Sequence, residues 1–354
     1  MPAHFQIFIN LNEFQHINIR VFLKAMRIET KLVDGALWVE APGVALSSTV
    51  DGGVRKVKGA VFRQVTTHMT CREMEEAAVP GYLNFYTAVD VAKHHWAARG
   101  RYAAAVATAG FGNTINVLVV VQAEPDLRAL ADVYRLAVEA KAVAAVDMGL
   151  RRGLARLGGD VSDAVAVIAT GGVKARYMGL GTEVGEEVYA LVQEAVKKAA
   201  GPPDLDQELR RYLGVGVGDL LRLVLETYRQ APVPGAQGVE ESAADMLSRL
   251  LQDPNVWAFI YAAGELDVKA ASGTHRGLSP QEHAQDSKKI VADEAIGAAL
   301  AQYINGFKAL QAMYWLDRRK PPPLDRLPMY TDDVAAALAG GLLSRLYDKL
   351  LHGI

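Results

Sequence analysis

The residues of this chain best suited to chemistry are acidic. Asp293 and Glu294 are adjacent, Asp332 and Asp333 are adjacent, and Asp317 precedes Arg318-Arg319-Lys320-Pro321. Neighbouring carboxylates repel, so each pair disfavours its own ionised state unless water or a cation relieves it. Hard divalent cations take oxygen ligands, and magnesium uses a few carboxylates together with waters and a substrate phosphate. A metal held in this way can polarise a phosphoryl oxygen and lower the pKa of a bound water. Lys288, Lys289, Lys308, Arg318, Arg319 and Lys320 offer positive charge for a phosphate. The same pairs also fit plainer roles: Asp332-Asp333 at a helix N-terminus with Thr331 as cap, and Asp293-Glu294 on a solvated helix face.

A second group is built from hydroxyls, amides and glycines. It comprises Leu46-Ser47-Ser48-Thr-Val-Asp-Gly52-Gly53, then Thr108-Ala-Gly110-Phe-Gly-Asn113 with Thr114-Ile-Asn116, then Ser162-Asp163, then Gly179-Leu-Gly181-Thr182. Each lies where a strand pattern ends or a helix pattern begins, and such loops are where open sheets place ligands. Gly179-Leu-Gly181-Thr182 could point backbone N–H groups at an anion. Its glycine spacing is not that of a dinucleotide fingerprint. His68 and Cys71 suggest a thiol–imidazole pair, although a lone cysteine is usually a packing residue. His94 and His95 fall on a stretch read as helix, where adjacent side chains diverge, and Glu139 and Lys141 diverge in the same way.

Among the elements that hold these residues, the first ~120 residues read mostly as strands. Asp34-Gly35 between Lys31-Leu-Val and Ala36-Leu-Trp-Val marks a tight hairpin. Val44–Val50 and Ala60–Thr66 read as short strands, and 103–107, 115–121 and 164–169 as central strands covered on both faces. Helical patterns fall at Leu83–Ala98, at Leu127–Leu150 and from Gly181-Thr182 to about Ala199. Gly201-Pro202-Pro203 then breaks the pattern. Beyond it only helical periods follow, at 204–230, 240–251, 255–266, 287–305 and 332–351. The expected fold is therefore two domains: an N-terminal α+β domain (mixed sheet with helices) over 1–201 and a C-terminal all-α helical domain over 202–354.

Composition narrows the function classes. The 354 residues are 51% hydrophobic and 22% charged, with a formal net charge of −2. No global basic field attracts nucleic acid or an anionic membrane, and aromatics at 7% are few for a base-stacking surface. One cysteine excludes a disulfide scaffold or a multi-cysteine metal site within the chain. No apolar run reaches the ~18 residues of a membrane span, and no signal pattern opens the chain. The expectation is a soluble cytoplasmic enzyme, with a homo-oligomer left open.

Two family resemblances give these groups an interpretation. Asp293-Glu294-x-x-Gly297, Asp317-x-x-Lys320-Pro321 and Asp332-Asp333 with Gly340, set among Tyr303-Ile-Asn-Gly-Phe-Lys and Trp315-Leu-Asp-Arg-Arg-Lys-Pro, resemble the phosphatidylglycerophosphatase A superfamily. They look closest to its soluble archaeal branch, the α-ribazole-5′-phosphate phosphatases. The resemblance implies an all-helical fold and magnesium-dependent phosphomonoester hydrolysis. It makes Asp293, Glu294, Asp332 and Asp333 metal ligands or general bases, Asp317 a further acidic contributor and Lys320 a phosphate contact. The missing span and basic interfacial helix argue against a lipid phosphate.

The loops of the first half resemble the adenosylcobinamide amidohydrolase family. The matching text is Leu46-Ser47-Ser48…Gly52-Gly53, Thr108-Ala-Gly110…Asn113, Ile115-Asn116-Val-Leu-Val-Val-Val, Glu139-Ala-Lys141, Ser162-Asp163-Ala-Val-Ala-Val and Tyr177-Met-Gly-Leu-Gly181-Thr182-Glu183-x-Gly185. This implies cleavage of the aminopropanol amide of adenosylcobinamide, with Ser47, Ser48, Gly52, Gly53, Thr108, Gly110, Asn113, Asn116, Gly181 and Thr182 facing substrate. Glu139 or Asp163 is the expected general base, in preference to Cys71. Together the two resemblances imply a bifunctional hydrolase of cobamide salvage, with a corrinoid and α-ribazole phosphate as its small-molecule substrates. The alternatives are a non-catalytic corrinoid-binding protein and a magnesium phosphatase for another phosphomonoester.

Overall fold

The computed structural model describes residues 26, 28–66, 69–110 and 114–353. Asn113 and His68 lie outside the described residues.

The N-terminal part is one mixed sheet. Strands β1 (Glu29–Val33) and β2 (Ala36–Ser47) form the expected hairpin, with Asp34 at φ 50° and Gly35 at φ 73°. Two consecutive left-handed residues match the twist of the flanking strands, and aspartate–glycine tolerates them best. Strand β3 (Gly53–Gln64) runs antiparallel along the whole of β2. The other edge of β2 is shared: Ala36–Glu40 pair with β1, and Val44–Ser47 pair with β10 (Val165–Val173). A register shift at Glu40–Gly43 separates the two stretches. With β4 (Tyr82–Thr87), β5 (His95–Arg99), β6 (Ala103–Gly110) and β7 (Thr114–Ala123), the order is β4-β3-β2-β10-β7-β6-β5. The β10–β7 and β3–β4 pairs are parallel and the others antiparallel, and β8 (Arg151–Arg152) and β9 (Ala155–Arg156) form a separate two-stranded ribbon.

Strands β6, β7 and β10 are buried on both faces, which explains their unbroken apolar sequences. On one face Val117, Val119, Val121 and Val167 pack under α2 (Leu127–Asp147) and α3 (Glu183–Ala200). On the other, Leu118, Val120 and Ile168 meet Phe62 and Phe85, whose rings stack at 4.3 Å. The sheet thus curls so that β4 covers β7.

One expectation fails here. Residues 83–98 form β4, a turn and β5 rather than a helix, so His94 and His95 are not on a helix; His95 begins β5. Leu83, Phe85 and Tyr86 are all buried in β4, so no alternation distinguishes the strand from a helix face.

Gly201, at φ 70°, ends α3, and every later element is helical: α4 (Leu205–Leu213), α5 (Val217–Tyr228), α6 (Val239–Leu250), α7 (Pro254–Ala271), α8 (Pro280–Ala284), α9 (Ala292–Arg319), a 3-10 turn at Leu324–Arg326, and α10 (Met329–His352). Helix α10 is buried all round from Met329 to Ser344, so it is the axis on which the others pack. Its small residues permit this. A side chain on Gly340 would strike the α9 backbone at Ala312–Met313.

Helix α9 is not continuous. Asn305 and Gly306 (φ 61°) leave helical geometry. A straight helix would carry Asp317 about 36 Å from Asp293 at 1.5 Å per residue. The break folds the second arm back on the first, so that Met313 reaches Gly297. The start of α9, its end and the start of α10 are thereby gathered at one end of the helical part. Helix α10 begins three residues before Asp332, with Pro328 at the N-cap position, so Thr331 is not its cap. No helix among the described residues is long and apolar enough to cross a membrane.

Candidate functional sites

The first candidate site lies at one end of the sheet. The C-termini of β2 and β6 and the N-termini of β3, β7 and β10 meet there, as the pairs Ser47–Gly53, Ser47–Ala166, Val117–Val165 and Gly110–Thr114 require. A cavity of about 330 Å³ opens at this end, lined among others by Ser48, Thr49, Asn84, Thr114, Ser162 and Asp163.

Its polar groups bind one another. Ser48 Oγ accepts from Val165 N at 3.0 Å, tying the β2–β3 turn to β10. Asn116 spans three strands: its Oδ1 accepts from Ala164 N at 2.9 Å and its Nδ2 donates to Tyr86 O at 2.9 Å. Thr114 and Ser162 hydroxyls are 2.8 Å apart. Asp163 accepts from Ile115 N at 2.7 Å and Asp160 N at 2.8 Å, and forms a buried ion pair with Lys141. Both of its oxygens are occupied, so it fixes the loop. Thr108 is fully buried on β6. Gly52 and Gly53 form the β2–β3 turn, and Gly110 ends β6.

Three expected members are elsewhere. Glu139 lies on the exposed side of α2, paired with Arg135 at 2.7 Å, and it is Lys141 that turns inward. Gly181 and Thr182 sit at the opposite end of the sheet. Thr182 caps α3 by accepting from Gly185 N, and Glu187 one turn on accepts from the backbone of 101–103, where β6 begins. Chain direction explains this: β10 runs away from the cavity before α3 starts. Cys71 is exposed in the first turn of α1 (Cys71–Glu76). Sequence reading passed over Thr49, Asp51, Arg55 and Asn84. The signal was present in Ser47-Ser48-Thr49-Val50-Asp51, where a carboxylate stands among hydroxyls just before the glycine turn.

The second candidate site is the acidic end of the helical part. Asp293, Glu294 and Asp333 bring carboxylate oxygens within 4.8 Å of one another. Asp293 Oδ1 and Asp333 Oδ1 are buried and have no hydrogen-bond partner. Burial, then neighbouring Glu294, pushes Asp293 up to about 7. Burial, then the charges of Asp332, Asp317, Asp293 and Glu294, pushes Asp333 up to about 9. Burial also raises Asp317.

Asp332 faces a different partner. It is paired with Lys320, whose ammonium also contacts Asp286 at 2.7 Å and Asp317 at 3.8 Å. Burial still raises Asp332 to about 7, with Lys320 drawing it back. For Lys320, burial works against the charge, and the bonds to Asp286 and Asp332 outweigh it, so its pKa rises. Three of the four expected ligands therefore converge, and the fourth is held by the expected phosphate contact.

A further carboxylate sets this geometry. Asp267 on α7 is fully buried and accepts from His283 Nε2 at 2.7 Å, Tyr330 N at 3.0 Å and Thr331 N at 2.9 Å. It caps α10 from another helix and so orients the turn carrying Asp332 and Asp333. Its signal is an aspartate on the buried stripe of α7, one turn after Ala263 and two after Ile260. The two parts of the chain meet where Arg151, between β7 and β10, pairs with Glu265 of α7 at 2.8 Å and lies over the Tyr212 ring.

Against known proteins, the adenosylcobinamide amidohydrolase family matches residues 112–203. An uncharacterized protein of Methanocaldococcus jannaschii is 30% identical over 114 residues, which is 31% of this chain and 87% of that relative. Solved structures similar to this one include the low temperature requirement C protein from Listeria monocytogenes, at TM-score 0.36 and 21% identity over 42% of this chain and 98% of that one. Protein ypjQ from Bacillus subtilis gives TM-score 0.35 and 17% identity over 42% of this chain and 97% of that one. The N-terminal region thus carries an adenosylcobinamide amidohydrolase domain, and the matched residues include Thr114, Ser162 and Asp163 of the strand-end cavity.

Proposed function

We propose that this chain is a bifunctional hydrolase, with residues 1–201 cleaving the aminopropanol amide of adenosylcobinamide and residues 202–354 removing phosphate from α-ribazole 5′-phosphate. The amidase reading is supported by the family match and by a strand-end cavity lined with hydroxyls and an amide. Such groups can donate to the oxyanion of an amide-cleaving transition state, where losing one donor costs about 2.7–4 kcal/mol.

The phosphatase reading rests on one observation: two buried carboxylate oxygens, on Asp293 and Asp333, without any partner. An unpaired buried carboxylate is costly, and a hard cation relieves it. The donor set is all oxygen and fits magnesium, with Asp293, Glu294 and Asp333 to hold it. Magnesium bound there would neutralise charge on a phosphate ester and lower the pKa of a bound water. Lys320 would exchange Asp332 for a phosphate oxygen, and Asp332, so released, would take a proton from the attacking water. Asp317 and Asp286 keep Lys320 at the site.

The test is one purified protein given both substrates, followed by mass spectrometry. Aminopropanol release should be unaffected by chelation. Release of phosphate from α-ribazole phosphate should need magnesium and fall at least about 10³-fold with a chelator. Phosphate release from p-nitrophenyl phosphate but not from α-ribazole phosphate would point to another phosphomonoester. Neither product, with corrinoid retained, would make the N-terminal part a binding module.

A further inference from the structure

The hydroxyls around the strand-end cavity differ in what they are bonded to. Ser48 is engaged with the backbone of β10, and Thr114 with the Ser162 hydroxyl. Thr49 is bonded to a carboxylate: its Oγ1 donates to Asp51 Oδ1 at 2.9 Å. Ser47 Oγ lies 2.7 Å from the same Thr49 oxygen and accepts from Thr49 N at 2.9 Å, which sets the Thr49 rotamer. Asp51 is in turn held by the Arg55 guanidinium, by Asn84 N at 3.2 Å and by Asn84 Nδ2 at 2.8 Å. Asn84 is itself pinned by the backbone of Val79 and Tyr82. A hydroxyl bonded to a base, with the base oriented by further groups, is the arrangement that activates an oxygen nucleophile.

We propose that Thr49 is the nucleophile for amide hydrolysis in this cavity and Asp51 its base. The proposal rests on the cavity being the amidase site. Thr49 Oγ1 bonds to the amide carbonyl carbon as its proton passes to Asp51. The carbonyl electrons move onto oxygen, giving a tetrahedral intermediate. The C–N bond then breaks, and the leaving amine takes the proton from Asp51. Water attacks the resulting ester and gives a proton to Asp51. The bond from the acyl carbon to Thr49 breaks, and Thr49 recovers that proton. The products are a carboxylic acid and an amine, with Thr49 and Asp51 restored. Neither Asp163, occupied by Lys141, nor Glu139, on the far side of α2, is needed.

The test uses the full chain and adenosylcobinamide, with aminopropanol release measured by mass spectrometry. Thr49→Val keeps the shape without the hydroxyl and should lower kcat about 10³-fold or more. Thr49→Ser should stay within about tenfold of the parent. Asp51→Asn should lower kcat about 10²- to 10⁴-fold with KM within about threefold. Unfolding temperatures of the three variants check the fold. If Thr49→Val does not fold, Thr49→Ser and Asp51→Asn decide. Parent-like turnover by folded Thr49→Val or Asp51→Asn would overturn the assignment, as would a folded Thr49→Ser as inactive as Thr49→Val. If the parent itself does not cleave adenosylcobinamide, it is the reading of the cavity that fails.

Discussion

The two candidate sites handle buried polarity in opposite ways. At the strand end, Ser47, Ser48, Thr49, Asp51, Asn84, Asn116 and Asp163 are each bonded to another protein group. At the helical end, Asp293 and Asp333 each leave a buried oxygen without a partner, and both carboxyls are pushed far above the usual carboxylate range. A satisfied network is rigid and ready without help, whereas an unsatisfied one is high in energy until something arrives. The carboxylates of the first site are therefore satisfied within the protein, and its buried atoms without a partner are Arg55 Nε and Thr108 Oγ1 rather than carboxylate oxygens. On the reading proposed above, the second site would acquire its final form with a cation, whose binding would relieve the unpaired buried carboxyls.

That contrast is broken or sharpened most strongly at Asp333. Asp333→Asn removes a ligand and should cost phosphatase turnover about 100-fold or more. Above about pH 9, where Asp333 is ionised without metal, it also removes a buried charge that nothing compensates. The chelated protein should gain stability at that pH and little near neutrality, and about 1 kcal/mol would raise its unfolding temperature by roughly 2–4 °C. Asp332→Asn should gain less, because it also deprives Lys320 of a buried partner. A chelated Asp333→Asn protein less stable than the parent would mean that the cluster is satisfied as it stands.

The pH dependence comes next. Asp293 and Asp332 are raised to about 7 and Asp333 to about 9, from an ordinary value near 3.8. The folded protein then binds protons that the unfolded chain has already released. The stability these groups contribute is fully present below about pH 4, and it is lost as pH rises through 7 toward 9. The unfolding temperature of the chelated protein should fall across that window, and magnesium should restore most at its upper end. Apparent magnesium affinity should rise with pH by up to about tenfold per unit for each proton displaced. Calorimetric scans at pH 5 to 9, with and without magnesium, check both. Curves that stay parallel would remove the linkage.

How much of this the sequence carried depended on the range of the interaction. The Asp34-Gly35 hairpin is local and was legible, as were β6, β7 and β10, whose apolar runs are long enough for central strands. The stretch 83–98 was misread because a strand buried on both faces shows no alternation. The acidic residues were legible as a set, but the means of bringing them together was not. Asn305-Gly306 interrupts α9 for only two residues, and the helical period resumes on either side. The partners of Asp163 and Glu139 were equally hidden. Lys141 and Asp163 are joined only when α2 packs on the sheet, and nothing in their spacing announces it. Asp51 lies in view in the same segment, but nothing in its spacing shows that Asn84 and Arg55 hold it.

Asp267 offers a milder test, since it supports the unsatisfied site without belonging to it. Asp267→Ala removes the acceptor for Tyr330 N, Thr331 N and His283 Nε2. Leaving buried donors without a partner costs about 1–3 kcal/mol, which should appear as a lower chemical-denaturation midpoint with or without magnesium. Magnesium should also bind more weakly, because the first turn of α10 loses its cap. Adenosylcobinamide cleavage should stay within about threefold at temperatures where the variant is folded. Equal losses in both activities would show that the two parts of the chain share one cooperative unit, through contacts such as Arg151–Glu265.

The smallest effect is expected at Cys71, and it bears on whether the strand-end site is complete without a thiol. Cys71 is exposed at the start of α1, and the capping box beneath it is formed by Thr70 and Glu73 through backbone and side-chain bonds that do not involve sulfur. Replacing an exposed residue in a first helical turn by alanine, a good helix former, changes stability by no more than about 0.5 kcal/mol. Helix α1 still borders the cavity, because Met74 lines it and the Tyr86 hydroxyl donates to Met74 O at 2.6 Å. Cys71→Ala should therefore leave both adenosylcobinamide cleavage and phosphate release within about twofold of the parent. If Cys71→Ala folds normally yet loses amide cleavage, the satisfied network around Thr49 and Asp51 is scaffold alone, and a thiol nucleophile takes its place.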